Sequence, residues 1–244
     1  MAENENNSEQ IMKPRGFREW IENFWYHYKW HSLIALFLVF TVTICSLQMC
    51  SKQSYDVYIM YAGQGDIRRT SEDGDISPYL TVVNSLKTKC EDYDGDGHVN
   101  VEFMNLFVPT SQEAAEYEAE RGVEVNYALI NDNLRVMNDT MMYSEYYICF
   151  MSESRFLDYD SKNNGGNFVP LKDFVDPNKT YEYASERGIY LSSTDFSSLP
   201  GIKDMPEDTV VCLRTLSAVA SHFDKKSNEE NYRRSKLVLK EILK

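Results

Sequence analysis

In the stretch DYDGDGHVNVE, Asp92, Asp94 and Asp96 stand at every second position and run into Gly97. Alternate carboxylates followed by glycine form the opening of a calcium loop. A complete EF-hand loop takes side-chain ligands from positions 1, 3 and 5, a carbonyl from 7, a further ligand from 9 and a bidentate glutamate from 12, with glycine at 6. Asp92, Asp94 and Asp96 fill the first three, Gly97 the turn, His98 offers its carbonyl, and Asn100 falls at the ninth position. The twelfth is Phe103, so the bidentate carboxylate is missing. Glu102 is no substitute. Val99, Val101 and Phe103 alternate with polar residues as a strand does, and at a rise of about 3.3 Å per residue Glu102 lies about 16 Å beyond Gly97.

Two readings follow. In one, three aspartates, carbonyls and water hold a structural Ca2+ weakly, with a dissociation constant on the order of 10⁻⁴–10⁻³ M. In the other, the stretch is a tight helix-to-strand turn in which Gly95 and Gly97 supply unusual backbone angles and the acids stay hydrated. The residues favour the turn, and neither reading requires a cofactor. Other chemistry is sparse. Of four histidines, His27 and His31 flank an apolar run, His98 sits on the expected strand and His222 lies in SHFDKK. The chain holds no G-x-S-x-G, H-E-x-x-H, C-x-x-C or phosphate-loop pattern. No catalytic residue is expected, and a hydrolase is the least favoured function.

The element that fixes where this chemistry happens is the run WHSLIALFLVFTVTICSLQMCS, residues 30–51. Its 22 residues carry no acid, lysine or arginine, and a bilayer core takes about 20 residues of helix. Roughly thirty residues precede the run and SLQMC ends it, which suits an uncleaved anchor better than a signal peptide. Lys13, Arg15, Arg18 and Lys29 come before it, whereas Lys52 stands alone after it until Arg68. The bias predicts a cell-membrane protein with a cytoplasmic and interfacial segment at 1–31, a transmembrane helix at 32–51 and an extracytoplasmic domain at 52–244. Trp20, Trp25 and Trp30 lie in FREWIENFWYHYKW, and Trp20, Phe24 and Tyr28 would form one aromatic stripe, either on an interfacial helix or on a helix that continues the anchor.

The net charge is −13, from 38 acidic and 25 basic residues. No basic run is long enough to track a phosphate backbone, so nucleic acid is not an expected partner. The lipid bilayer is. Of five cysteines only Cys90, Cys149 and Cys212 fall in the outer domain. Their apolar neighbours mark core positions, with a Cys149–Cys212 bridge as an alternative.

The order of elements in residues 52–244 predicts an α/β domain with a mainly parallel sheet. Residues 55–62 read as a strand, and a helix starts at Ser77–Pro78 and runs to about Asp92. A second strand follows the acidic loop into MNLFVP. Thr110 with Glu113 forms a capping box for a helix broken near Gly122 and resumed through VEVNYALIND. YYICFM is a third strand. Residues 155–215 read as irregular, with FVPLKDF, RGIYLSS and TVVCLRT as short strands or turns, and Ser227 with Glu230 caps a terminal helix.

Taken together, HYKWHSLIALF followed by YDVYIMYAG, the acidic DGDG, YYICFMSESRF, NFVPLKDF and MPEDTVVCLRT resemble a family of single-pass membrane proteins of Gram-positive anaerobic bacteria. The outer domain of that family is similar to a reduced extracytoplasmic solute-binding protein, and the resemblance supplies a fold and no activity. It implies a periplasmic-binding-protein-like lobe, in which ligands sit outside the carboxyl ends of the strands. Those ends would present Gln64 and Asp66, Thr110 and Ser111, and Ser152 and Ser154 to a small polar ligand, although the same groups suit helix caps. The expected function is a membrane-anchored ligand-binding or sensing module, with an accessory subunit of a membrane transport or secretion complex as the alternative.

Overall fold

The computed structural model describes residues 16–50, 54–65, 67, 77–216, 219, 222 and 224–244. The chain divides into two units, Met1–Gln53 and Ser54–Lys244. Among the sequence expectations, Asp66, Lys52, Arg15 and Lys13 lie outside the described residues.

In the first unit a single helix, α1 (Phe17–Cys50), runs for 34 residues. At about 1.5 Å per residue it is about 51 Å long, against a hydrocarbon core of about 30 Å. Its stretch Trp20–Leu47 is long and apolar enough to cross a membrane. The aromatic segment therefore continues the apolar segment in one helix. Trp20, Phe24 and Tyr28 form the expected stripe, stacked with ring centroids 5.6 and 5.4 Å apart.

The second unit is built on strand β1 (Val57–Gly63), whose residues are buried on both faces apart from Tyr58. A strand covered on both sides reads as a nearly continuous apolar run, as VYIMYAG does. Helix α2 (Ser77–Lys87) carries the chain to β2 (Val101–Phe107), α3 (Ser111–Arg121) and α4 (Tyr127–Tyr143) carry it to β3 (Ile148–Ser152), and α5 (Glu153–Ser161) follows. The short strands β4 (Tyr183–Ser185) and β5 (Gly188–Tyr190) then lead to β6 (Thr209–Leu213) and the closing helix α6 (Lys225–Ile242). One open sheet results, in the order β2-β1-β3-β6-β5-β4. Four strands share a direction, because β1 is parallel to β2 and β3, and β6, β5 and β4 follow in antiparallel steps. The sheet is thus mostly parallel in strand direction, with its parallel pairings confined to one half.

Two apolar layers cover the sheet. Val57, Ile59 and Tyr61 pack with Val82, Val83 and Leu86 of α2 and Val238, Leu239 and Ile242 of α6. Met60, Ala62, Leu106, Met151 and Val210 pack on the other face with Met137 of α4 and Phe156 of α5. Each fully buried leucine, isoleucine or valine in these layers stabilises by about 1.5–3 kcal/mol. Cys149 and Cys212 face one another across β3 and β6 as buried free thiols, and the Cys212 Sγ–H points to the Cys149 carbonyl at 3.5 Å.

Several local expectations are met and several shift. Thr110 and Glu113 form the capping box of α3, which ends on Gly122 at φ 64°. Asn126 opens α4 by accepting from the Ala128 and Leu129 N–H groups. Helix α2 stops at Lys87 rather than near Asp92, because the aspartates that follow accept backbone N–H groups in a loop. Helix α6 is capped by Asp224, three residues before Ser227. Glu230 turns away from that cap and holds Arg233 and Arg234. Of the region read as irregular, TVVCL is a fully buried strand inside the sheet and ESRFLDYDS is a helix.

Candidate functional site

The acidic loop is a closed hydrogen-bond system. Asp92 accepts the Gly95 N–H at 2.7 Å and the Gly97 N–H at 2.8 Å, one on each carboxylate oxygen. Asp94 accepts the Asp96 N–H at 3.1 Å and the Ser54 hydroxyl. Asp96 accepts the His98 N–H at 2.8 Å and the Asn100 side-chain amide at 3.3 Å. Gly95 and Gly97 take φ of 77° and 86°, the left-handed conformation that glycine adopts without steric cost. The loop is organised from below by Asp56, a fully buried residue just ahead of β1. Its carboxylate accepts the N–H groups of Tyr93 (2.7 Å), Asp94 (3.3 Å) and Asn100 (2.8 Å). Asp56, Asp92 and Asp94 each bring an oxygen within 4.8 Å of the others, which is room for a cation. The donor set is nonetheless incomplete: Phe103 is buried in the core and Glu102 faces a groove further along β2. The Ser54 hydroxyl, followed by the Asp96 N–H, holds the Asp94 carboxyl below the usual carboxylate range.

At the carboxyl ends of the parallel strands the expected polar residues meet, and they satisfy one another. Ser154 donates to Glu113 at 2.9 Å and lies 3.2 Å from the hydroxyl of buried Ser152. The other Glu113 oxygen takes the Thr110 N–H at 2.6 Å. Ser111 is exposed at the first turn of α3. On the far side, Gln64 donates to Asp208 at 3.1 Å. Partial burial pushes the Asp208 carboxyl up, against the Gln64 hydrogen bond, and the charge of Glu113 adds to the rise. Gly63 ends β1 so close to β3 that a Cβ there would lie 3.1 Å from the Ser152 nitrogen.

A concavity lies along the outer edge of β2, a cavity of about 580 Å³, within the usual range for ligand sites. Tyr79 of α2, Phe103 and Phe107 of β2, Tyr117 of α3 and Leu129 of α4 give it an apolar, largely aromatic wall. Glu102 and Glu124 also line it. The strand's pairing decides what its backbone offers. The Asn100 carbonyl accepts the Asp56 N–H and the Val108 N–H donates to the Gly63 carbonyl, so even-numbered residues point at β1. Odd-numbered residues therefore turn their backbone groups outward. Two of those outward carbonyls are covered: the Tyr79 hydroxyl donates to Phe103 at 3.1 Å and the Asn133 amide to Phe107 at 3.0 Å. Between them stands Asn105, whose Oδ1 is buried with no hydrogen-bond partner. Among the described residues nothing covers its backbone N–H and C=O either.

Sequence reasoning passed over Asp56 and Asn105. The signal for Asn105 was present: in VEFMNLF it is the polar residue in phase with Val101, Phe103 and Phe107. Asp56 carried none, because the loop it supports begins 36 residues downstream. No protein-family model, curated protein or solved structure matches this chain.

Proposed function

We propose that the protein is a membrane-tethered, extracytoplasmic ligand-binding module whose ligand occupies the groove along β2. The observation that carries this reading is the buried, unpartnered Asn105 Oδ1 in the wall of a cavity of about 580 Å³ with an aromatic side and a polar side. Leaving a buried acceptor unpaired costs about 1–3 kcal/mol, a cost that a ligand donor would remove. Helix α1 serves as the anchor. The four basic residues Lys13, Arg15, Arg18 and Lys29 ahead of the uncharged run 30–51 support a cytoplasmic N-terminus. The parallel order β2-β1-β3 with helical crossovers supports kinship with a single lobe of a solute-binding protein, but the ligand end differs. In this chain Thr110, Ser152 and Ser154 hydrogen-bond around Glu113 and Gln64 bonds to Asp208, while a cavity opens at the sheet edge.

The test uses the full chain in detergent micelles. Small solutes and short peptides are screened for a rise in the melting temperature of the second unit, followed by far-UV circular dichroism. A hit that Leu129→Trp abolishes supports the reading, because Leu129 lines the groove and is 50% exposed, so filling the cavity there leaves the core intact. A panel that raises no melting temperature overturns it. A second reading, an accessory subunit of a membrane complex, is favoured by the exposed stripe of Trp20, Phe24 and Tyr28. Photocrosslinking from Trp25 in native membranes would then trap a protein partner.

A further inference from the structure

We infer that the groove takes an extended, basic peptide segment, which adds to the edge of β2 through Asn105; the inference rests on the ligand-binding reading above. Three features of the groove select this ligand class.

First, its floor is a strand edge. Extended chains recognise such edges by exchanging main-chain hydrogen bonds, while side-chain pockets give specificity. Second, the edge is restricted. Exposed edges invite uncontrolled pairing and native proteins blunt them; here the Tyr79 hydroxyl and the Asn133 amide cover the carbonyls of Phe103 and Phe107. Four residue steps at about 3.3 Å leave a window of about 13 Å centred on Asn105, room for about four ligand residues. Within it Asn105 offers one backbone donor, one backbone acceptor and the unpaired Oδ1. A second long strand cannot zip along β2, whereas a short segment makes its main-chain bonds at Asn105 and gives one further N–H, from backbone or side chain, to Oδ1. Third, the walls match an apolar side chain flanked by positive charge. Phe107 and Tyr117 pack with ring centroids 5.2 Å apart, Tyr79 and Phe103 at 6.1 Å, and the cleft between these pairs suits a bulky apolar group. Glu102 and Glu124 stand beside it, and the chain's net charge of −13 draws cations toward it.

The experiment measures fluorescence anisotropy of fluorescein-labelled Lys-Val-Phe-Val-Lys with the full chain in micelles. It is repeated with Glu-Val-Phe-Val-Glu and with two N-methylated forms of the first peptide, each blocking the N–H groups along one of its two edges. The expected result is saturable binding of the basic peptide, at least tenfold weaker for the acidic one. One N-methylated form binds as the parent does and the other at least tenfold more weakly, because a strand pairs along one edge only. Leu129→Trp removes binding, and Glu124→Gln weakens it severalfold while reducing its salt dependence. Equal binding of both N-methylated forms, or of the acidic peptide, overturns the inference. If no peptide binds while a small solute still raises the melting temperature in a Leu129-dependent way, the peptide assignment falls and the ligand-binding reading stands. If neither peptide nor solute acts, both fall.

Discussion

Four residues separate Asn100, the end of the acidic loop, from Asn105, the centre of the groove, and the two regions treat polar groups in opposite ways. The loop holds three aspartates in a row of alternate positions, the densest display of chemistry in the chain, and each of their carboxylates is occupied by backbone or side-chain donors. The groove sets asparagine amides and two glutamates among aromatic rings, and one amide oxygen, Asn105 Oδ1, is left open. Charge density in the sequence therefore falls on a loop that satisfies its own carboxylates, while the open valence lies in the groove. A polar group that satisfies its neighbours stabilises the fold, and one that the fold leaves unsatisfied is available to a ligand.

The sharpest way to break that contrast is to remove the centre of the loop. Asp56→Ala strips the acceptor from the N–H groups of Tyr93, Asp94 and Asn100 at a fully buried position. The expected loss is about 3 kcal/mol in chemical denaturation, with peptide binding retained in whatever fraction stays folded. All three tryptophans lie in α1, and of 17 tyrosines all but Tyr26 and Tyr28 lie in the second unit, so tyrosine near-UV dichroism reports mainly on that unit. A loss under about 1 kcal/mol would show that the loop does not depend on Asp56.

Asn105→Val is the mirror experiment. It deletes an unpartnered acceptor from a strand that favours β-branched residues. Stability should stay level or rise by up to about 1 kcal/mol, while basic-peptide binding falls at least tenfold. Such a split, gain in stability against loss of binding, is typical of a residue kept for function. A drop in stability would instead place Asn105 among the structural polar groups.

A smaller effect tests whether the loop uses an ion. The Asp94 carboxyl is held down by the Ser54 hydroxyl, so its contribution is present above the ordinary carboxylate range and lost as the pH falls through its lowered value. Asp94→Ala should give a modest fall in melting temperature that is the same with and without millimolar calcium. A calcium-dependent difference would make the loop a metal site, with Asp56 as the carboxylate that position twelve lacks.

The parallel half of the sheet was readable because its signals are local. Proline after Ser77, the Thr110–Glu113 box, Gly122, and apolar strands of five to seven residues each announce themselves within one turn or one strand. The antiparallel half was readable only in part: RGIYLSS and TVVCLRT read as short strands or turns, and their place inside the sheet did not show. The strand TVVCL is buried on both faces and shows no alternation, and β4 and β5 are three residues each, fixed by pairing across the chain rather than by propensity. The α6 cap was misplaced because Asp224 and Ser227 are both good caps three residues apart. The groove suffers from the same limit: three helices and a strand edge contribute to it, and only Asn105 breaks a local pattern.

The smallest effect expected comes from an ion-pair cluster on α6, and it calibrates the comparison. Arg233 first, and then Arg234, hold the Glu230 carboxyl down to about 2. Its contribution is complete above the ordinary carboxylate value near 4.5 and is lost as the pH falls toward about 2. The Glu230 side chain is 38% exposed, so solvent screening limits each pair to a few tenths of a kcal/mol. Glu230→Gln should therefore cost no more than about 0.5–1 kcal/mol at neutral pH and nothing near pH 2. The same contact chemistry, a carboxylate with its donors, is worth several times more at Asp56 because water is absent there. If Glu230→Gln matched Asp56→Ala in cost, burial would not be what separates the two carboxylates.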